Sequence, residues 1–544
     1  MKFESNSFRK ELPKDDDQAP TLLHWNSGSD LRTISDAKND ASGEWLTKEL
    51  RKQFVIAGPM TLVSLLNFAL SIVSLIFVGH LGEVALSSSQ IAVTIAMATG
   101  LNIMMGLSSA LETLCGQAYG AKEYYLTGIY LQRAIYVLTL VAIPLSFIWW
   151  NLARVLIAVG QDPVISEGAQ EYTRFLIPSL FAYAFLQPLV KFMQTQSVVK
   201  AMAVFSAITL VIHVMLCYLV IYYLGVGFRG AAIVTGISHW INVSFLAIYV
   251  IKSSTFKKTW TGLSTEAFRD VYPFLKVAVP STLLICFQYW CFDIFVLASG
   301  LLPNPLLETS SFSVCVNTIA LLSMIPFGFS TAVSTRVANE LGAGRPQAAK
   351  DAVTVSVSLV LIEGCTVAMV LMSLRRVFPY IFISEPHVVD HASRMLPLVA
   401  VISLLDGYQN VLCGVAKGCG RQHLGAWIDL CSFYGISLPV GLLLTFYFEL
   451  DSYGLWIGIL SGFLTQAVLL SSITITSNWE KLACQAAELV RGAGEHHAHD
   501  LTKALLKEGS VPTTHQGTVE DPAWPVNYNE SNHQKEAKQQ KSYV

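Results

Sequence analysis

Four carboxylic acids lie inside long apolar runs of this sequence, where an ionised side chain is expensive. They are Asp293, Glu363, Asp406 and Asp429, and Asp293 is the only formal charge over residues 277–307. Ionisable residues in a hydrocarbon setting are rare and commonly mark ion or proton pathways. A low dielectric disfavours the charged form of a carboxyl group, so such a group can gain and lose a proton during a cycle. It attracts a cation when ionised and releases it when protonated, which is enough to couple proton entry to cation exit.

Long apolar segments must position these acids, and the sequence contains twelve of them. Of the 544 residues, 53% are hydrophobic and 14% charged, against about 25% charged in a soluble globular chain. The mean hydropathy is +0.50. Each run is near the roughly 20 residues with which a helix crosses about 30 Å of hydrocarbon, and internal glycine or proline is compatible with this. We predict an all-α polytopic membrane protein with spans near 54–78, 85–111, 134–150, 175–190, 201–228, 230–251, 277–307, 309–335, 352–374, 395–416, 424–448 and 452–478.

Composition also excludes several classes of function. The net charge of −2 leaves the chain as a whole without the basic footprint of a nucleic-acid-binding protein. The ten cysteines are scattered and form no CxxC pair, so we interpret them as small buried apolar residues. No GxxxxGK[ST] loop for ATP hydrolysis occurs. We expect no cofactor, no metal site and no enzymatic activity, and an ion gradient as the energy source.

The distribution of lysine and arginine predicts the orientation in the membrane. One set of alternate loops carries thirteen basic residues and the opposite set carries five, so the basic side is predicted to be cytoplasmic, with both termini there. The first 50 residues have no apolar core, so we expect no cleavable signal peptide. The basic set comprises Lys122, Lys191, Lys200, Lys252, Lys257, Lys258, Arg269, Lys276, Arg336, Arg345, Lys350, Lys417 and Arg421; the opposite set comprises Arg154, Arg174, Arg229, Arg375 and Arg376.

The sequence repeats itself after about 220 residues. AGP, YGAK, LIP and RGAA in the first half return as AVP, LGAG, MLP and YGLW in the second, 219 to 224 positions later. Six helices per half give both halves the same orientation, with a pseudo-two-fold axis along the membrane normal, which is a repeat plan of secondary transporters. The predicted parts are a cytoplasmic tail 1–51, a first lobe 52–252, an amphipathic linker helix 253–270, a second lobe 271–480 and a largely disordered cytoplasmic tail 481–544.

Longer motifs between about 50 and 480 closely resemble the plant branch of the multidrug and toxic compound extrusion (MATE) transporters, the detoxification proteins. The resemblance implies twelve helices in two six-helix lobes. It also implies export of organic solutes, often cationic or phenolic, against an inward flow of H⁺ or Na⁺, and proton coupling in plant members. The motifs are FVGHLG at 77–82, ALETLCGQAYGAK at 110–122, GQDP at 160–163, LIPSLFAYAFLQP at 176–188, QTQS at 194–197, SGLLPNPLLETS at 299–310, STRVANELGAG at 334–344 and LDGYQNVLCGVAKGCGRQ at 405–422.

Helix seven departs from the family pattern that the resemblance implies. Plant MATE proteins typically carry a glutamate there in a CLExW-like pattern, and the corresponding CFQYW at 286–290 has Gln288 instead, which cannot titrate. Asp293 stands five residues later, which is about 140° away around a helix, so the two side chains do not share a face. Asp293 is therefore a poor spatial replacement for the missing glutamate.

Helices ten and eleven supply the other two candidate acids. The family's DGxQ pattern is kept as Asp406 and Gln409, and its usual asparagine in GAxxNL is replaced by Asp429. We predict that Asp406 is the main proton carrier, and that Asp429 or Asp293 replaces the lost carboxylate, with Asp429 the better candidate. Glu363, next to Gly364, is better explained by helix packing.

Aromatic and amide side chains near these acids are candidates for a substrate pocket. Aromatic rings beside buried acids suit flat organic cations, although the same rings can be ordinary packing. His213 and His239 are better explained as buried hydrogen-bonded side chains than as proton relays. Glu112 and the glycine-containing loops at 115–122 and 339–346 are interpreted as an inner gate and its hinges. The predicted substrate contacts are Gln288, Tyr289, Trp290, Asn317, Gln409, Phe433, Tyr434, Asn67 and Ser71.

We predict a monomeric, multi-pass antiporter that exchanges H⁺ for organic secondary metabolites or xenobiotics, most simply cationic ones such as alkaloids or amine conjugates. Flavonoid or organic-anion transport on the same fold is the alternative, and the vacuolar membrane is slightly favoured over the plasma membrane. A lipid-linked sugar flippase would need basic residues in the cleft, whereas the buried charges here are acidic. A membrane-embedded acyl or prenyl transferase would need a catalytic His–Asn pair or DDxxD-type carboxylates near a membrane surface. The only cluster of acids in the sequence, Asp15–Asp17, lies in the N-terminal tail. A channel needs no duplicated lobes.

Overall fold

The computed structural model describes residues 30–507, with side chains over 45–494. Within that part of the chain, twelve helices are long and apolar enough to span a membrane, as predicted. A further helix, α13, covers Trp479–Lys507. The twelve are α1 Trp45–Gly79 (which begins as a helix at Asp30), α2 Glu83–Gly120, α3 Tyr124–Trp150, α4 Pro163–Thr195, α5 Lys200–Tyr223, α6 Phe228–Lys252, α7 Val271–Ser299, α8 Pro305–Gly342, α9 Pro346–Leu374, α10 Pro386–Gly418, α11 Gln422–Tyr447 and α12 Asp451–Ile475.

The helices repeat in two sets of six, which we call the first lobe (α1–α6) and the second lobe (α7–α12). Helix α2 ends at Gly120 and α8 ends at Gly342, 222 positions later. Helices α4 and α10 end at Thr195 and Gly418, which are 223 positions apart. The near-constant spacing agrees with the duplication predicted from short motifs.

Local sequence explains where several helices begin. Proline occupies the first turn of α4, α8, α9 and α10, where its missing N–H costs no hydrogen bond. At α4 the carboxylate of Asp162 accepts from the backbone N–H groups of Val164 and Ile165 at 2.9 and 3.1 Å. This is the N-cap that an aspartate before a proline favours.

The lobes meet along two seams, α2 against α7 and α8, and α1 against α8. Small residues allow close backbone approach there: a Cβ on Gly106 of α2 would lie 2.4 Å from Thr282 Cα of α7. On the other seam, a Cβ on Gly328 of α8 would lie 2.7 Å from the Ala57 carbonyl oxygen of α1. Such small-residue contacts are typical of helix pairs in membranes.

The structure differs from the predicted linker and tails. Residues 253–270 form two 3₁₀ turns, Ser254–Phe256 and Thr265–Phe268, and not a linker helix. Gly262, at a φ of +103°, breaks the helical pattern, and Phe256 is fully buried against Phe192 of α4 instead of facing a membrane surface. Helix α1 begins within the expected N-terminal tail and α13 continues to Lys507 in the expected C-terminal tail. The rest of the tail that is predicted to be largely disordered, residues 508–544, lies outside the described residues, and so do residues 1–29.

Candidate functional site

Asp406 is the centre of a buried polar cage in the second lobe. Its carboxyl group is 3% exposed at the middle of α10. Oδ1 accepts from the side-chain amides of Gln288 on α7, Gln409 and Asn410, at 3.3, 3.0 and 3.0 Å. Oδ2 accepts from the Ser323 hydroxyl on α8 at 2.5 Å. Three helices therefore supply four neutral donors to one carboxyl group.

Helix geometry brings these donors together. Gln409 and Asn410 follow Asp406 by three and four residues, which is the spacing that places side chains on one face of a helix. Helix α8 is interrupted by a turn at Ser323, three residues before Pro326, so the hydroxyl lies at a break in the helix. Gly407 leaves room for this break, because a Cβ there would come within 3.2 Å of Pro326 Cγ. Interrupted helices at mid-membrane depth commonly form transporter binding sites.

The cage stabilises a negative charge without a fixed positive partner. No basic side chain forms an ion pair with Asp406 among residues 45–494, and hydrogen bonds from neutral donors to a carboxylate favour its ionised form. Tyr289, Glu363 and Cys413 are titratable side chains that lie close enough to feel the charge of Asp406. A carboxylate at this position therefore lacks a counter-charge among residues 45–494.

The other two predicted acids lie apart from this cage. Asp293 is half-buried, accepts no hydrogen bond from the described part of the chain, and lies near Tyr434. Asp429 is fully buried and accepts from the side-chain amide of Gln466 at 2.6 Å. Gln288 reaches Asp406 whereas Asp293 forms no bond to it, as their 140° separation around the helix leads one to expect.

Several predicted substrate contacts line an aromatic surface beside the cage. Tyr289 is 49% exposed and lies close to Tyr183 of the first lobe and to Asp406 of the second. The Phe287 ring lies 5.5 Å from that of Tyr434 and 6.4 Å from that of Trp290. Tyr289 therefore places an aromatic ring near the Asp406 carboxyl group, and α7 and α11 add the contacting rings of Phe287, Trp290 and Tyr434. Aromatic rings near a carboxylate suit flat cations.

Other predicted contacts have different surroundings. Trp290 donates its indole N–H to the Ala98 carbonyl at 2.9 Å and so joins the two lobes. Phe433 is 1% exposed and packs edge-on against Phe463, so in this state its ring offers no surface to a substrate. Gln409 is fully buried and holds Asp406. Asn67, Ser71 and Asn317 are exposed.

Sequence reasoning missed Ser323, Asn410 and Tyr183. The spacing of Asn410 from Asp406 was a usable signal, since it matches one helical turn. Ser323 could not be found in this way because it reaches Asp406 from another helix at a local break. His213 is buried and His239 half-buried, and they bond to serine hydroxyls at 2.9–3.0 Å and at 2.6 Å respectively.

Helices α2, α4, α8 and α10 terminate at the same end of the molecule, and a second polar cluster joins the two lobes there. We call this cluster the gate. Lys191 of α4 forms a buried ion pair with Glu112 of α2. Ser334 of α8 donates to the same carboxylate at 2.7 Å. The side chain of Gln194 bonds Thr335 of α8 at 3.3 Å. The predicted gate role of Glu112 thus has a geometric basis, since it joins the two lobes.

Backbone acceptors reinforce the gate. Thr113 donates to the Lys417 carbonyl at 2.5 Å, and the Asn339 amide donates to the Thr195 carbonyl at 3.0 Å. Arg336, a member of the basic set, pairs with Glu49 at the start of α1 at 3.0 Å. Arg345 pairs with Glu340 at 2.7 Å. Contacts between the lobes are therefore dense at this end.

We expect Glu112→Gln to weaken the gate strongly. The substitution leaves the buried Lys191 ammonium without its counter-charge, and breaking a buried ion pair in this way costs about 3–5 kcal/mol. Thermal unfolding of the purified protein should shift to lower temperature and export should fall. Glu171→Gln removes the exposed partner of Arg229 and should change stability by under about 1 kcal/mol. Equal effects of the two substitutions would contradict the gate assignment.

Comparison with known proteins shows which family this chain resembles. The family model MatE matches residues 59–219 and 280–443, that is, each lobe once. Protein DETOXIFICATION 16 of Arabidopsis thaliana is 46% identical over 446 residues, covering 82% of this chain and 92% of that protein. Protein DETOXIFICATION 17 of the same plant is 46% identical over 443 residues, covering 81% and 93%.

Solved structures agree with these matches. The crystal structure of the eukaryotic MATE transporter AtDTX14 superposes with a TM-score of 0.80 at 42% identity, covering 82% of this chain and 99% of that chain. An outward-facing multidrug resistance MATE transporter shares the fold at 16% identity, with a TM-score of 0.71 over 80% and 96%. Since the family model matches both lobes and the relatives align over most of their length, this chain belongs to the MATE family of multi-pass membrane transporters, and it is a transporter and not an enzyme.

Proposed function

We propose that the protein is a proton-coupled antiporter that exports organic cations. The observation that carries the proposal is the Asp406 cage: a buried carboxyl group with four neutral donors and no ion-pair partner in the described part of the chain. A carboxylate held in this way accepts one positive charge at a time. Proton binding and cation binding therefore compete for it, and this competition is the minimum requirement for exchange.

The two lobes supply the alternation of access. With the gate closed, substrate held near Asp406 is separated from the gate side and can leave only at the opposite end. A proton that arrives from that end neutralises Asp406 and releases the cation. Opening of the gate, by loss of the Glu112–Lys191–Ser334 contacts, then lets the proton leave on the gate side. Rocking of two similar lobes around a fixed site is the usual form of this cycle.

The surroundings of Asp406 favour a cationic, flat and partly apolar substrate. Tyr289 lies beside the acid, α7 and α11 add the contacting rings of Phe287 and Tyr434, and the described residues place no basic side chain in an ion pair with Asp406. The negative charge of ionised Asp406 would also exclude anions from the site. Flavonoids or organic anions would have to bind while Asp406 is protonated.

The same proposal includes an orientation and a compartment. Four residues of the basic set lie at the gate: Lys191, Arg336, Arg345 and Lys417. The distribution of positive charge therefore assigns the gate and both termini to the cytoplasm. Export would then be directed into the vacuole, which is acidic and supplies the proton, or out of the cell across the plasma membrane. We favour the vacuolar membrane and a monomer.

Purified protein in proteoliposomes tests the function. An imposed pH gradient, and separately a Na⁺ gradient of equal size, would be applied while a panel of alkaloids, amine conjugates and flavonoids is followed. The expected result is movement of cations driven by the pH gradient and abolished by a protonophore. Movement driven only by Na⁺, or confined to anionic compounds, would overturn the proposal.

A further inference from the structure

Asp429 is a second buried acid whose hydrogen bonding differs from that of Asp406. It lies at the end of the α-helical part of α11, directly before the π-helical turns Leu430–Ser437, and it is fully buried. Its Oδ1 accepts from Nε2 of Gln466 on α12 at 2.6 Å. Within residues 45–494 no other donor reaches the carboxyl group and no basic side chain forms an ion pair with it. π-helical turns are frequent at functional sites.

Two buried oxygen atoms at this contact have no partner. They are Oδ2 of Asp429 and Oε1 of Gln466, the second oxygen of the acid and the oxygen of the amide that bonds it. An ionised carboxylate cannot satisfy the amide oxygen, because both atoms are acceptors. A proton on Oδ2 can donate to Oε1 while Nε2 donates to Oδ1. A single proton therefore gives both oxygens a partner, and it closes a cyclic acid–amide pair.

The environments of the two acids thus favour opposite protonation states. Asp406 faces four donors and no acceptor that needs a proton, as suits a carboxylate. Asp429 faces one donor and one unpartnered acceptor, as suits a carboxylic acid. An uncompensated charge at a fully buried position is costly, and a proton on Asp429 removes that cost.

A continuous chain of side chains joins the acids. From Asp406, Oδ1 accepts from Gln409 Nε2 at 3.0 Å, and Gln409 Oε1 accepts from the Cys413 thiol at 3.5 Å. Gln466 Nε2 lies 3.9 Å from Cys413 Sγ and donates to Asp429 at 2.6 Å. A change of charge at either acid alters the orientation of the same three side chains.

Few other charged groups face the pair. Lys417 and Cys413 of α10 act on Asp429, and Lys417 acts also on Glu112 at the gate. Helix α7 presents the apolar Leu284 to Gly425, one turn before Asp429. Asp406 is faced by Glu363 and Tyr289 in addition to Cys413. Lys417 thus connects the Asp429 region electrostatically with the gate.

We propose that Asp429 and Gln466 form a second proton-binding site, which holds its proton while Asp406 is ionised, and that Gln409 and Cys413 connect the two sites. This inference rests on the proposed proton-coupled function and adds to it a second exchangeable proton. It also gives the chain a titrating group in place of the carboxyl that Gln288 lacks.

Infrared difference spectroscopy of the full-length protein in lipid bilayers tests the proposal. At neutral pH, wild type should show the C=O band of a buried protonated carboxyl group that Asp429→Asn removes. Asparagine is close to the shape of the protonated acid and can form the same two bonds with Gln466, so we expect the variant to fold. Asp406→Asn should keep the band and shift its frequency. Cys413→Ala should keep the band and abolish that shift, whereas Cys431→Ala, at an exposed cysteine of α11, should behave as wild type.

The outcomes separate this proposal from the preceding one. A neutral-pH spectrum that Asp429→Asn leaves unchanged would mean that Asp429 is ionised, and would overturn the second site. Loss of the band on adding Na⁺ at constant pH would assign the pocket to a metal cation and would overturn it as well. If the band behaves as expected but no pH-driven export occurs, the proton-binding site stands and the proposed transport function fails.

Discussion

Replacement of Asp406 by asparagine is expected to reduce pH-driven export to the level of vesicles without protein. Asparagine cannot bind a proton, so the competition between proton and cation disappears. The exchange should leave the cage intact, because the new Oδ1 can accept from Gln288, Gln409 and Asn410, and the new Nδ2 can donate to the Ser323 hydroxyl. Transport in proteoliposomes, with thermal unfolding as a check on folding, measures both consequences.

A matched control lies on the same helix. Asp390 of α10 is exposed and pairs with Arg394 one turn away, so Asp390→Asn changes the same chemical group away from the cage. It should export at the wild-type rate. If Asp406→Asn continued to pump against a gradient, the coupling proton would have to reside on Asp429 or Asp293. Loss of export in both variants would point to a general effect of removing charge from α10.

The membrane architecture follows from the sequence because its causes are local. Twelve apolar runs of near-spanning length suffice to predict twelve helices, and the repeat of short motifs predicts the two lobes. Asp406 was also recoverable, since an acid in an apolar helix is a functional candidate by its cost alone. The predicted separation of about 140° between Gln288 and Asp293 is correct because α7 is a regular helix across both residues.

The partners of these acids were harder to predict because they depend on packing between helices. Gln466, which bonds Asp429, lies on another helix and follows it by 37 residues. No spacing rule relates these two residues. Phe433 was predicted to contact substrate but lies in the core. Helix α11 is π-helical over Leu430–Ser437, and its i→i+5 turns hold more residues than an α-helical turn, so nearness in sequence to Asp429 does not fix which way the Phe433 ring points. The linker is not a helix because Gly262 interrupts it and it is tied to the first lobe by polar contacts: Thr259 donates to the side chain of Gln196, just after α4, and the Ser264 backbone N–H donates to that of Gln132 on α3.

Gly342→Ala is expected to prevent the gate from closing. A Cβ on Gly342 would lie 2.1 Å from the Gln117 carbonyl oxygen, and one on Gly120 would lie 2.1 Å from that of Asn339, so α2 and α8 make reciprocal contacts through these glycines. The obstructing atoms belong to the backbone and cannot move aside as a side chain does. Overpacking typically costs about 1–3 kcal/mol, which is a roughly 5- to 150-fold change in the ratio of closed to open states.

The cost of the added methyl group falls on one conformation only, because the contact exists only when the lobes meet at the gate. Gly342→Ala should therefore shift the population towards the state that is open at this end, and export should fall by at least about fivefold. Alkylation of Cys419, which is partly buried beside the gate, should become faster as the gate opens. Gly58→Ala in α1 adds the same methyl group where no atom lies within 4 Å, so it should leave export and labelling unchanged. Slower export of Gly342→Ala without faster labelling would mean that the variant is merely unstable, and that the glycine contact does not control which side of the membrane the site faces.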